Sequence, residues 1–315
     1  MPRIGRTALL GLVAALVVVI ALPLTVIVLR SGSSNSQTSR GPAHTPQPTP
    51  ATSGMLWGMW MKDSDGKPDP SAVIASREAS LGHRLDVFHW YESWDSSWSA
   101  AGGTVDTVSA SGRIPMITWE ADNRAVSRIA QGGYDAYVDS WAKGAASRKP
   151  HEIWIRIFHE FNIPQYAWST EKNRPADLVA AWRHVHDRFA AAGADNVRWV
   201  WNPDGSNPSN ISPGYPGDAY VDYTGWDTYG YDNPTNYDAV SAVSHKPMVI
   251  GEFGPSDDGG VPQLKEFTDQ VARGSYPLIR AMVYFDEGRW AIGGNPSLRD
   301  ALKQMLASPA FRKAP

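Results

Sequence analysis

From residue 55 onward, short apolar runs suited to β-strands alternate with longer stretches of helical period, and the alternation repeats eight times. "LWGMWM" (56–61), "LDVFHWY" (85–91), "RIPMITWE" (113–120) and "EIWIRIFHE" (152–160) read as strands. So do "VRWVWNPD" (197–204), "YTGWDTYG" (223–230), "PMVIGEFG" (247–254) and "LIRAMVYFD" (278–286). Residues 71–82, 134–148, 175–192, 236–244, 262–273 and 297–307 read as helices, the third opened by Pro175 and stopped by Gly193. Eight β–α units in roughly 250 residues are the dimensions of a (β/α)8 TIM barrel. An open doubly wound sheet is the alternative, but it would carry a Gly-rich phosphate turn after its first strand, and "LWGMWMKDSDG" is not one. No internal repeat and no second low-complexity linker divides residues 55–315, which read as a single α/β domain.

The segment before the barrel has a different character. Residues 7–29, "TALLGLVAALVVVIALPLTVIVL", run for 23 residues without a charge after Arg3 and Arg6. That length crosses a bilayer core as a helix, and basic residues ahead of it place the N-terminus in the cytoplasm. Residues 1–30 therefore read as a transmembrane signal anchor, with a cleaved signal peptide and a secreted product as the alternative. Residues 31–54, rich in Ser, Thr and Pro, hold almost no apolar residue and read as a disordered linker. The expected location is the cell membrane, single-pass, with the barrel outside. Residues 1–54 hold four arginines and no acid, so the net −3 of the chain leaves −7 on the remainder. An acidic domain of this kind is a poor partner for nucleic acid. Cysteine is absent, which excludes disulfides, a thiol nucleophile and a Cys-ligated zinc site.

The strand at 152–160 carries an unusual load. Ile153, Ile155 and Ile157 suit a face packed on helices, so Trp154, Arg156, Phe158 and Glu160 are expected to face the barrel interior. Glu160 then falls at the C-terminal rim, where barrel enzymes place their chemistry, with Arg156 one layer beneath. A buried guanidinium needs a carboxylate partner. Asp227, inward by the parity of Tyr229, is a candidate. With Met248 and Ile250 facing inward, Glu252 faces inward too, again beside the loop. Two carboxylates projecting into one rim from the fourth and seventh strands are what glycosidic bond cleavage requires.

"RIFHEFN", "GWDTYG" and "IGEFG" together resemble glycoside hydrolase family 26, within the clan of retaining (β/α)8 glycosidases, over about residues 55–312. The resemblance implies that Glu160 is the general acid/base and Glu252 the nucleophile. It implies that His159 and Asn162 border the −1 sugar or orient Glu160, that Tyr229 hydrogen-bonds the nucleophile, and that Arg156 supports the acids. The implied reaction is double displacement by a retaining endo-β-glycanase on β-1,4-linked mannan or β-glucan, including mixed-linkage glucan, without cofactor or metal. A catalytically silent glycan-binding barrel and a transglycosylase remain as alternatives. Two departures from the family bear on the substrate. "HEFNIPQYAWS" has Ile163 and Gln165 where members often have Gly and Trp, leaving Tyr166 and Trp168 as substitute rings. "YFDEGRWAI" keeps an aromatic pair and Trp290 but lacks a common Lys-Glu.

Among the 14 tryptophans, Trp60, Trp90, Trp119 and Trp201 lie near strand ends and are expected sugar platforms, joined by Trp168 and Trp290. Glu120 and Asp204 also end strands; they contact sugar hydroxyls or cap the following segments. His184 and His186 lie two apart on a helix and are expected to be solvated. A zinc reading of His159-Glu160 fails because position 163 is isoleucine and the segment is a strand. "DSDGKPD" (63–69) lacks the length and final Glu of a calcium loop.

Overall fold

The computed structural model describes residues 54–65, 69–230, 233–256 and 260–311. The expected membrane span at 7–29 lies outside these residues, as does all of the linker except Gly54. No helix among the described residues is long and apolar enough to cross a membrane.

Eight parallel strands close into a barrel in chain order. They are β1 (Leu56–Met61), β2 (Val87–Ser93), β3 (Ile114–Glu120), β4 (Ile153–Ile157), β5 (Val197–Trp201), β6 (Tyr223–Thr228), β7 (Met248–Phe253) and β8 (Ile279–Asp286). Closure comes from β1 pairing with β8, Leu56 opposite Ala281 through Met61 opposite Asp286. The helices are α1 (Ser71–Leu81), α2 (Trp98–Ala110), α3 (Val126–Ala130), α4 (Asp135–Ala146), α5 (Pro175–Ala191), α6 (Asn233–Val243), α7 (Gly260–Ala272) and α8 (Pro296–Leu306).

The helices do not follow one per strand, as eight regular units would require. Between β3 and β4 there are two, and between β5 and β6 only three short 3-10 turns, at Pro208–Asn210, Ser212–Gly214 and Asp218–Tyr220. Pro208, Pro213 and Pro216 explain the gap, since each removes a backbone donor and clashes with a continuing helix. Helix α2, absent from the sequence reading, buries Trp98, Ala101, Val105 and Val108 at helical spacing, a period diluted in the sequence by the small and polar residues between them, Gly102 and Gly103 among them.

A plug of Val87, Met116, Trp154, Val200, Val249, Ala281 and Val283 fills the lower barrel. Gly225 belongs to this interior: a Cβ there would overlap the carbonyl oxygen of Val249. The plug fixes the facing of each strand. On β7, Val249 is inward while Met248 and Ile250 belong to the outer core, contrary to the expected parity. Glu252 nevertheless turns inward, because Gly251 is an extra residue. Ile250 and Glu252 lie opposite consecutive residues of β6, Trp226 and Asp227. Against β8 the same surplus appears, with Ile250 opposite Met282 and Phe253 opposite Tyr284. This one-residue bulge resets the alternation and aims the acid at the interior.

Nor does β4 carry Glu160 by alternation. The strand stops at Ile157, and Phe158 (φ 50°) and Glu160 (φ 51°) adopt left-handed backbone. Such values in non-glycine residues are uncommon and cluster where function holds them. Phe158 packs toward Trp168 instead of filling the barrel. The Glu160 amide donates to the Asn202 carbonyl (2.8 Å), pinning the turn to the end of β5.

Candidate active site

The floor of the barrel mouth is built around Arg156, which is fully buried. Its Nη1 donates to both oxygens of Asp227 (2.7 and 2.8 Å), its Nε to Thr118 Oγ1 (2.8 Å), and its Nη2 to Glu252 Oε1. Burial works against the guanidinium, but Asp227 and Glu252 hold its pKa above the ordinary value, so it stays charged. Space for this arrangement comes from Gly251, where a Cβ would fall 2.6 Å from Arg156 Nη1 and 2.7 Å from Asp227 Oδ1. One oxygen each of Glu160, Asp227 and Glu252 lies within 4.8 Å of the other two. Arg156 bridges the two acids it binds, its single positive charge offsetting one of their two negative ones.

Glu252 receives two further donors. Tyr91 Oη donates to Oε1 (2.5 Å) and Tyr229 Oη to Oε2 (2.5 Å). Both phenols are pushed well above their ordinary range, by burial first and then by the carboxylate, so they remain donors at any physiological pH. Glu160 is treated oppositely. Burial, then the charges of Glu252 and Asp204, raise it from 4.5 to about 8, with Arg156 pulling the other way. Tyr166 is its hydrogen-bonding neighbour. His159 Nε2 meets Tyr166 Oη at 3.0 Å, and burial, then Arg156, holds the imidazole neutral. One carboxyl is therefore kept protonated while its mate, less than a sugar ring away, is held by three donors.

The Glycosyl hydrolase family 26 model matches residues 112–293, more than half of the chain, a stretch that includes both acids. The chain belongs to that family. It is 31% identical over 283 residues to Endoglucanase H of Acetivibrio thermocellus, covering 81% of this chain and 31% of that protein. It is 24% identical over 154 residues to the mannan endo-1,4-beta-mannosidase of Bacillus subtilis, covering 46% and 42% respectively. The chain thus spans less than half the length of either relative. Among solved structures, an endo-beta-1,4-mannanase double mutant from Cellulomonas fimi superposes with a TM-score of 0.65 at 18% identity, covering 82% of this chain and 71% of that one. GH26C from Muricauda sp. MAR_2010_75 gives 0.64 at 14% identity, covering 84% and 91%. At these identities the superpositions show a shared fold.

Within this family 26 barrel, several residues expected at the sugar lie elsewhere. Trp90 stacks on Phe88 on the outer face of β2, because Val87, His89 and Tyr91 take the inner one. Trp201 likewise faces outward, since Val200 is inward, and it donates to the Gly214 carbonyl. Trp119 packs on Trp94 and Trp141 in the outer core. Asn162 is fully buried and spends its amide on Asp204 N and on the carbonyls of Asp204 and Asn207, so it ties the loops after β4 and β5 together and reaches no sugar. Arg156, also without exposure, acts through Glu252 and not on a ligand. Trp168 is buried, donates to the His159 carbonyl and stacks behind Tyr166 at 4.6 Å, leaving Tyr166 as the half-exposed ring. His159 itself is 1% exposed.

Two of the expected platforms are at the mouth. Trp60 is there but buried, stacked on Phe285 (4.3 Å) and edge-on to Tyr91, so it backs those rings and offers no open face of its own. Trp290 is half-buried, stacks on Tyr229 (4.3 Å) and is fixed by its Nε1 to the Pro255 carbonyl (2.8 Å). Tyr91, Thr118 and His89, whose Nε2 lies 2.7 Å from Thr118 Oγ1, are site residues that the sequence reading missed as such. The inward parity of Val87, His89 and Tyr91 was the available signal. His184 and His186 are not free in solvent: His184 lies 2.6 Å from Asp135 of α4, and His186 packs on Trp199 and Tyr220.

Proposed function

We propose that this family 26 barrel is a retaining endo-β-glycanase acting by double displacement. The observation that supports it most is the contrast just described: Glu160, buried and raised to about 8, beside a Glu252 held by Tyr91, Tyr229 and Arg156. An oxygen of Glu160 within 4.8 Å of one of Glu252 favours the retaining side, where carboxyls usually stand about 5–5.5 Å apart, over inverting pairs at about 6.5–9.5 Å. Glu160 gives its proton to the glycosidic oxygen as the C–O bond breaks, and Glu252 forms an ester with the anomeric carbon. Deprotonated Glu160 then takes a proton from water, which attacks the same carbon and releases Glu252. Oε1 of Glu252 already accepts from Tyr91 and Arg156, whereas Oε2 accepts only from Tyr229. With two lone-pair directions on each oxygen, Oε2 is the atom left to attack.

The substrate is a β-1,4-linked glucan, mixed-linkage β-1,3-1,4-glucan included, with mannan next. The relative matched over most of this chain is named an endoglucanase, while the mannosidase aligns over less than half of it. The place of action is outside the cell membrane, with residues 7–29 as the anchor. Reducing-end release from a panel of glucans, mannans and xylans tests the activity. A 2-fluoro-glycosyl trap mapped to its labelled peptide tests the chemistry: the expected label is on Glu252, and a label elsewhere refutes the assignment.

A further inference from the structure

Besides the catalytic pair and the Asp227 bound by Arg156, three acids stand around the mouth, and two of them are accounted for. Asp122 accepts from Ser93 Oγ (2.6 Å) and the Trp94 amide (3.0 Å), closing the loop after β3 against β2. Asp204 accepts from the Ser206 amide (2.6 Å) and hydroxyl, capping the turn after β5. The Glu120 carbonyl accepts from the Trp94 amide (2.9 Å), but its carboxylate makes no hydrogen bond and no ion pair among the described residues. Its place is nevertheless well defined. Met116 is in the barrel plug and Thr118 holds Arg156, so Glu120 is the next inward position of β3, opposite Ser93 of β2 and level with the mouth. It is half-buried. The nearby cations are committed elsewhere, Arg124 to Asp95 and Asp122, and Arg156 to Asp227 and Glu252.

A carboxylate that is partly desolvated, surrounded by like charge and given no donor is unfavourable in the free protein. Burial, then Asp122, with Glu252 adding, raise Glu120 from 4.5 to about 7 against the pull of Arg156. The donors it lacks are what a sugar supplies: neutral hydroxyls that need no counter-charge. We infer that Glu120 is a substrate-binding residue, whose carboxylate accepts a hydrogen bond from a hydroxyl of the glycan lying over Glu160 and Glu252 and so fixes where the chain sits. This inference rests on the glycanase reading above.

The test compares Glu120→Gln and Glu120→Ala with the intact enzyme in KM, kcat and melting temperature on soluble β-glucan oligosaccharides. A hydrogen bond to a charged group corresponds to about a tenfold to hundredfold change. The expected rise in KM is of that size for Glu120→Ala and smaller for Glu120→Gln, with kcat changed less. Stability should move the other way. The raised pKa means that the folded state loses stability as pH rises from 4.5 through about 7, so Glu120→Gln should melt higher than the wild type above pH 7. Besides burial, the groups that set this are Asp122, Arg156 and Glu252, and the neutral phenol of Tyr166 also lies near Glu120. A structural acid would lower the melting temperature when neutralised and leave KM alone, and that result would overturn the inference. Unchanged KM, kcat and product ladder in both variants would overturn it too. If instead the wild type releases no reducing ends and takes no label at Glu252, the glycanase reading fails first, and the inference falls with it.

Discussion

The double displacement proposed above needs a proton on Glu160 and none on Glu252, and the two side chains, alike in themselves, stand in different surroundings. Glu160 has burial and two neighbouring anions, and Glu252 has three donors. Because Glu160 must carry its proton to act, kcat/KM on a natural polysaccharide should fall as pH rises through about 8. Glu160→Gln should lower kcat/KM by about 10²–10⁴-fold, and the loss should shrink with an aryl glycoside whose leaving group needs no proton. The same shift has a stability consequence. Since the folded state binds this proton more tightly than the unfolded chain, stability declines between pH 4.5 and about 8, and Glu160→Gln should flatten that part of the melting curve against pH. For Glu252, Tyr91→Phe and Tyr229→Phe each remove one charge-assisted bond, and each should cost about tenfold to a hundredfold in kcat. The two phenols hold opposite oxygens of one carboxylate, so the double variant should be non-additive, which steady-state kinetics on all four proteins would show.

At the level of elements, the parts that read clearly from the sequence are those with a period. Strands β1 to β8 alternate because one face meets helices and the other a closed interior, and that alternation survives in the residue order. Single-residue irregularities leave no such trace. The bulge at Gly251 and the left-handed turns at Phe158 and Glu160 each break the period at one point, so simple parity put Met248, Ile250 and Phe158 on the wrong face. Both glutamates reach the mouth through these irregularities. The bulge also makes Gly251 indispensable: Gly251→Ala would press a methyl group against Arg156 and Asp227. Overpacking of this kind costs about 1–3 kcal/mol, and here it would also displace Glu252, so urea unfolding should show that loss together with near-complete loss of turnover. Asn162 shows how a residue at the mouth of a barrel can be mistaken for a ligand contact. Asn162→Ala would strand the Asp204 amide and the Asp204 carbonyl, each buried unpaired group costing about 1–3 kcal/mol. It should therefore lower the melting temperature markedly while leaving KM of the surviving folded enzyme near the wild-type value.

For the molecule as a whole, charge decides which glycans can approach. Residues 55–315 carry −7, and beside the protonated Glu160 the barrel mouth concentrates acids of its own in Glu120, Asp204, Asp227 and Glu252, against the buried guanidinium of Arg156 at its centre. A cleft lined by one sign of charge focuses its potential outward and repels ligands of the same sign. Neutral glucans do not feel that field, whereas a carboxymethylated glucan of the same backbone does. Kinetics on the two polymers should therefore diverge with ionic strength. On neutral mixed-linkage glucan, kcat/KM should stay nearly flat between low salt and about 0.15 M, where the screening length shortens to about 8 Å. On the carboxymethylated polymer it should be lower at low salt and rise as salt is added, chiefly through KM. Equal salt dependence on both polymers would show that the acids are shielded from the approaching chain, and the preference for neutral substrates would then have to come from contacts inside the mouth alone.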